Sequence, residues 1–195
     1  MLAKCKCDVK TLGERPAGAV SGGVPQRAAP RRGTLHRDHL PERRSVSTAV
    51  PRRRPRVLLV EDDPGDVLMI QEAYADLDRS EDLMVVNDGI DALEHVRREG
   101  TFADAPRPDL ILLDLNLPRM SGREVLHALK TDAALSHIPV VVLTTSSGEE
   151  DIVSAYTGHA SSYVTKPVDF EEFVAAIHQI DRFYSEVARL PDHVA

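Results

Sequence analysis

From Val57 onward the chain alternates short continuous apolar runs with segments of helical period. Val57-Leu58-Leu59-Val60 is such a run, as are Leu83-Met84-Val85-Val86, Leu110-Ile111-Leu112-Leu113 and Val140-Val141-Val142-Leu143. Runs of this kind suit strands buried on both faces. Ser161-Ser162-Tyr163-Val164 reads as a shorter fifth strand. Between the strands, Val67, Ile70, Ala73 and Tyr74 share one helical face, and Ile90, Leu93 and Val96 another. Further helices run through Val125, Leu126 and Leu129, over Glu149 to Tyr156, and from Asp169 to about Leu190. Start signals agree: Pro64 suits a first helical turn, and Ser121-Gly122-Arg123-Glu124 has the spacing of a capping box. Five strands alternating with five helices predict an α/β, doubly wound domain, with helices on both faces of a parallel sheet.

Charge divides the chain. Residues 1–55 carry 13 Lys/Arg against 4 Asp/Glu, whereas the remainder is acidic enough to bring the formal net charge to −7. The basic segment also holds six prolines and five glycines and shows no apolar period, so it is expected to be a disordered extension. It can be read as an arm for nucleic acid or acidic surfaces, as a dispensable tail, or as sequence upstream of a later start. The folded domain is expected over 56–190, with a tail at 191–195. Cys5 and Cys7 lack the partners a four-ligand zinc site requires, and read as incidental thiols. No apolar stretch approaches membrane-spanning length and no signal-peptide core is present, so a cytoplasmic protein is expected. The acidic domain is a poor ligand for DNA, whose phosphates would repel it.

In sheets of this kind, ligands bind beyond the carboxyl ends of the strands. The unusual polar residues fall there. Glu61-Asp62-Asp63 follow strand one, Asp114 ends strand three, Thr144-Thr145-Ser146-Ser147 follow strand four, and Lys166-Pro167 follow strand five. Asp62, Asp63 and Asp114 can offer carboxylates to Mg²⁺, which prefers oxygen ligands. A cation would offset their mutual repulsion and leave Asp114 ionised as a nucleophile. Lys166 and the Thr144 hydroxyl supply positive charge and a hydrogen bond for a moving phosphoryl group. No Gly-rich nucleotide loop is present, which suggests a small phosphodonor rather than bound ATP.

These residues in this order resemble the receiver domain of two-component response regulators. The paired acids, Asp114 in Leu113-Asp114-Leu115-Asn116-Leu117-Pro118, Thr144, and Lys166-Pro167 after Tyr163 carry the resemblance, over about residues 56–187. Within the family, Glu61-Asp62-Asp63-Pro64-Gly65-Asp66 and Val142-Leu143-Thr144-Thr145-Ser146-Ser147 look like single-domain regulators that partner phytochrome-type histidine kinases. The resemblance implies a flavodoxin-like (βα)5 receiver fold with strand order 2-1-3-4-5. It implies that Asp114 takes a phosphoryl group from a kinase phosphohistidine, with Mg²⁺ held by Asp62, Asp63, Asp114 and the Asn116 carbonyl. Lys166 would contact the phosphoryl group, Thr144 and Tyr163 would act as a switch pair, and Asn116 and Ser146 would modulate dephosphorylation. A cis Lys166–Pro167 bond is expected by the same resemblance.

Output is then expected by protein contact, through a phosphoacceptor with self-phosphorylation and self-dephosphorylation chemistry rather than a turnover enzyme. No DNA-binding or enzymatic domain follows before Ala195. The last helix carries Phe173, Ile177, Ile180, Tyr184 and Val187, which read either as core or as a homodimer contact. Two rival readings are a Mg²⁺-dependent phosphohydrolase with Asp114 as nucleophile, and a phosphorylation-independent binding module. The phosphohydrolase lacks a general acid at Asn116, two residues after Asp114.

Overall fold

The computed structural model describes residues 53–191; the basic segment through Arg52 and its two cysteines, like the last four residues, lie outside the described residues. Five parallel strands, β1 (Val57–Val60), β2 (Leu83–Val86), β3 (Leu110–Leu113), β4 (Val140–Thr144) and β5 (Ser162–Thr165), form one sheet in the order β2-β1-β3-β4-β5. The expected fold class and strand order are therefore those observed. In the pairing, Val60 lies level with both Val86 and Leu113, so the residues that follow β1 and β3 leave the sheet side by side.

The helices are α1 (Pro64–Asp76), α2 (Gly89–Arg97), α3 (Gly122–Thr131), α4 (Glu149–Thr157) and α5 (Phe170–Arg182). Side-chain caps start four of them. Asp63, Asp88 and Asp169 accept backbone N–H bonds at α1, α2 and α5, and Ser121 forms the expected reciprocal box with Glu124 at α3. Each cap satisfies helix-end donors that would otherwise lack partners. One apolar layer packs Leu58, Val60, Ile111 and Leu113 against Leu93, Val96, Val125, Leu129 and Ala155. The other packs Val57, Leu59, Leu110 and Leu112 against Ile70, Tyr74, Phe173 and Ile177. The three inner strands β1, β3 and β4 are buried along their whole length, which is why their sequences run apolar without alternation.

The last helix departs from expectation. Regular α-helical geometry ends at Arg182, and Phe183–Val187 form a wider π turn before Ala188 goes extended, short of the expected Leu190. The Ser185 hydroxyl donates to the Asp181 carbonyl, and the Ala188 N–H reaches back to the Phe183 carbonyl. Phe173 and Ile177 are core, and Ile180 and Tyr184 pack partly buried on the same layer. Of the stripe's apolar residues Val187 is exposed, beside Phe183. The Lys166–Pro167 bond is trans, and no cis peptide occurs among the described residues, contrary to the expectation for this bond.

A buried ion pair ties the helical layer of α1 and α5 to the start of β1. Arg79, after α1, pairs with Asp181 of α5 and with Asp82, and donates to the Pro55 carbonyl at 2.9 Å. Asp109, ahead of β3, pairs with Arg53 and accepts from the Arg56 N–H at 2.8 Å. Residues 53–55, which composition groups with the extension, are thus bound to the domain. Removing one partner of a buried pair leaves the other charge uncompensated. Arg79→Met should lower stability by about 3–5 kcal/mol in urea unfolding. The double change Arg79→Met with Asp181→Leu should recover most of that loss.

Candidate functional site

The carboxyl ends of β1, β3, β4 and β5 bring Glu61, Asp114, Thr144 and Lys166 to one rim of the sheet. Asp114 is 6% exposed and Lys166 8% exposed, so this is a buried charge cluster rather than a solvated one. The Lys166 ammonium donates to Asp114 Oδ2 at 2.6 Å, to Glu61 Oε2 at 2.7 Å and to Asp66 Oδ2 at 2.7 Å. The second Asp114 oxygen, Oδ1, accepts from the Asn116 N–H at 2.9 Å. One cation therefore faces three acids, which leaves the group as a whole negative.

Backbone contacts explain the placement. The Asp114 N–H bonds the Val60 carbonyl at 3.0 Å, and the Lys166 N–H bonds the Thr144 carbonyl at 2.8 Å. Each functional residue is thus held by the ladder of the strand beside it. Gly122, at the start of α3, lies so close to the Asp114 backbone that an added Cβ would fall 1.9 Å from its carbonyl oxygen. Only glycine admits that approach without moving the strand end.

The structure does not bring every expected residue into the cluster. Asp63 is exposed, and its Oδ1 is taken by the N–H groups of Gly65 and Asp66 as the cap of α1. Asp62 is exposed at the edge of the rim, as is Asn116. Glu61, 1% exposed, is instead the acid of the triplet that points inward. Its backbone carbonyl accepts from the Asn87 side chain at 3.0 Å and its Oε1 from the Asp63 N–H at 3.2 Å. The signal was available in the sequence: strands in register place the first residue after β1 beside Asp114, and that residue is Glu61. Asp66 carried no comparable signal, because its placement depends on how α1 turns back over the rim.

Thr144 is fully buried, and its Oγ1 accepts from the Ser146 N–H at 3.3 Å. The Tyr163 hydroxyl donates to the Ser146 carbonyl at 2.9 Å. Ser146 therefore joins the two residues of the expected switch pair through its backbone. Its own hydroxyl donates to Asp151 of α4, which also pairs with Arg123 of α3. Those two bonds hold the Asp151 carboxyl below its usual range, the Ser146 bond first.

Burial pushes Glu61 up to about 7, with Asp114 adding to the rise and Lys166 opposing it. Burial alone would lower Lys166, yet its hydrogen bonds to Asp114, Asp66 and Glu61 outweigh that and keep it protonated. The carboxylates of Glu61, Asp66 and Asp114 each offer an oxygen within 4.8 Å of the others, a hard-oxygen set suited to a divalent cation.

Comparison with known proteins agrees with this geometry. Residues 57–178 match the response regulator receiver domain family. The response regulator Rcp1 of Synechocystis sp. is 39% identical over 135 residues, 69% of this chain and 92% of that protein. Among solved structures, the phosphorylated cyanobacterial phytochrome response regulator RcpA superposes with a TM-score of 0.69 at 43% identity, covering 72% of this chain and 100% of that one. The Mn²⁺-bound form of Rcp1 gives a TM-score of 0.65 at 40% identity, covering 70% and 98%. A doubly wound sheet with its acids and lysine gathered at one rim defines a receiver. The chain belongs to the response regulator receiver domain family, and its similarity extends to single-domain phytochrome response regulators.

A raised carboxyl pKa has a definite sign in stability. The folded value of Glu61 exceeds its ordinary 4.5, so its contribution is fully present below pH 4.5 and is lost as pH rises through 7. Without divalent cations, Glu61→Gln should flatten the stability profile between about pH 5 and pH 8, measured by urea unfolding.

Proposed function

We propose that this domain accepts a phosphoryl group on Asp114 from the phosphohistidine of a histidine kinase, and that the kinase is of the phytochrome type. The observation that carries the reading is the buried Asp114 carboxylate, held at one oxygen by Lys166 and at the other by the Asn116 N–H. In the transfer, an Asp114 oxygen forms a bond to phosphorus as the bond from phosphorus to the histidine nitrogen breaks. The electron pair leaves with the imidazole, and an acyl phosphate remains on Asp114.

Mg²⁺ is the cation this reading assigns. Glu61 and Asp114 would hold it with Asp62 and the carbonyl of Asn116 at the open edge, whereas Asp63 is withdrawn as a ligand because its carboxylate caps α1. When bound, the ion supplies positive charge that offsets the phosphoryl oxygens and the clustered acids. Lys166 passes an N–H from Asp114 to a phosphoryl oxygen. The Thr144 hydroxyl donates to another, and it is the movement of the side chain toward that oxygen that would release it from the Ser146 N–H. Because Ser146 also accepts from Tyr163, that release is felt by the aromatic side chain, the α4 loop and Asp151. On this reading Asn116 and Ser146, two residues past Asp114 and Thr144, would bear on water reaching the acyl phosphate.

The chemistry is that of a stoichiometric acceptor with its own dephosphorylation, signalling by protein contact, and the reading places it in the cytoplasm with the kinase. Among the described residues no helix is long and apolar enough to cross a membrane. A self-associating copy would meet Phe170 at the start of the last helix and Phe183 and Val187 at its end as exposed large apolar side chains.

With Mg²⁺ and acetyl phosphate, intact-protein mass spectrometry should show one phosphoryl adduct on the wild type and none on Asp114→Asn. Labelling of the variant at the wild-type level would remove Asp114 from its role. Phosphotransfer profiling against candidate kinases should show faster transfer from phytochrome-type enzymes; equal rates from all would end that part of the reading.

A further inference from the structure

Asp66 is unusual among the acids of the domain. It occupies the first turn of α1, where a carboxylate ordinarily faces solvent and the helix N-terminus. The capping position is already filled by Asp63, which takes the Asp66 N–H at 3.0 Å. The Asp66 side chain instead turns to the rim, 21% exposed, and binds the ammonium of Lys166, which lies 100 residues further along the chain.

A lysine ammonium has three N–H donors and no acceptor. Here each donor meets one carboxylate: Asp114, Glu61 and Asp66. The three carboxylates differ in what becomes of them during the proposed transfer. Glu61 is claimed in part by the cation, and Asp114 is converted to an acyl phosphate. Asp66 alone is neither converted in the transfer nor given to the cation by the proposed function.

We infer that Asp66 is the positioning residue for Lys166: it fixes the ammonium so that one N–H stays aimed at Asp114 and then at the phosphoryl group. The inference rests on the proposed function for its second half, and on the observed geometry for its first. Asp66 is assigned to the lysine rather than to the cation because the Lys166 ammonium is the partner its carboxylate has among the described residues, whereas Glu61 and Asp114 also accept backbone N–H bonds at their other oxygens. An unanchored lysine on a four-carbon stem samples many rotamers, and the share aimed at the reacting group falls accordingly.

The test uses the full chain and the variants Asp66→Asn, Asp66→Ala and Asp66→Glu, with Asp114→Asn alongside. The Asn change keeps the shape and leaves the α1 cap in place. The first readout needs neither metal nor phosphate: the ¹⁵Nζ–¹H signal of Lys166 by NMR. Its exchange with water should quicken by about tenfold in Asp66→Ala and less in Asp66→Glu. Unchanged exchange in every variant would overturn the inference.

The second readout is labelling by acetyl phosphate across a Mg²⁺ titration. The rate constant at saturating Mg²⁺ should fall about tenfold in Asp66→Asn and Asp66→Ala, with the half-saturating Mg²⁺ concentration within about twofold of wild type and partial recovery in Asp66→Glu. A full rate restored by high Mg²⁺, with half-saturation shifted about tenfold, would make Asp66 a metal ligand and overturn the assignment. If the wild type takes no label at Asp114, the proposed function fails, and the NMR exchange still decides whether Asp66 holds Lys166.

Discussion

One buried ammonium organises the carboxyl rim of this domain. Lys166 brings together acids from the ends of β1 and β3 and from the first turn of α1, and each of these elements needs the others in register for the contacts to form. Taken alone, three carboxylates this close would repel one another. The lysine removes part of that cost and leaves a net negative pocket. Such a pocket is half of a phosphoryl-transfer site: it is preorganised in position, and it is completed in charge by what enters it.

The rest of the fold supplies stiffness to that arrangement. The inner strands are buried on both faces, so their ends cannot shift independently of two apolar layers. The glycine at the start of α3 lets that helix close over the Asp114 backbone, and the Arg79–Asp181 pair fastens α5 to the segment leading into β1. From the end of β4, the Thr144–Ser146–Tyr163 chain of hydrogen bonds runs out of this frame into the loop before α4.

The alternation of apolar runs and helical stripes made the sheet and its class readable from sequence, because fully buried strands leave an uninterrupted apolar signature. The convergence of Asp114, Thr144 and Lys166 was readable for the same reason: each directly follows or ends a strand. What stayed hidden was finer. Glu61, Asp62 and Asp63 look equivalent on paper, yet Glu61 turns inward beside Asp114, Asp62 stays at the open edge, and the helix start claims Asp63 as a cap. Asp66 was hidden because a helical residue's reach toward a distant lysine has no local pattern. The end of α5 was overrun because a widened turn keeps the apolar spacing while abandoning α-helical hydrogen bonding.

The two helices that flank β5 are anchored very unequally. α5 sinks Phe173, Ile177 and Asp181 into the body of the domain, whereas α4 sinks only Ala155 and leaves Val153 and Tyr156 in water. Local free energy of opening follows such differences in buried contact. A perturbation arriving at the loop between β4 and α4 therefore meets little mechanical resistance on one side and a great deal on the other. The domain has, in effect, a soft flank and a hard one, and the soft flank begins at the residue that Arg123 and Ser146 both hold.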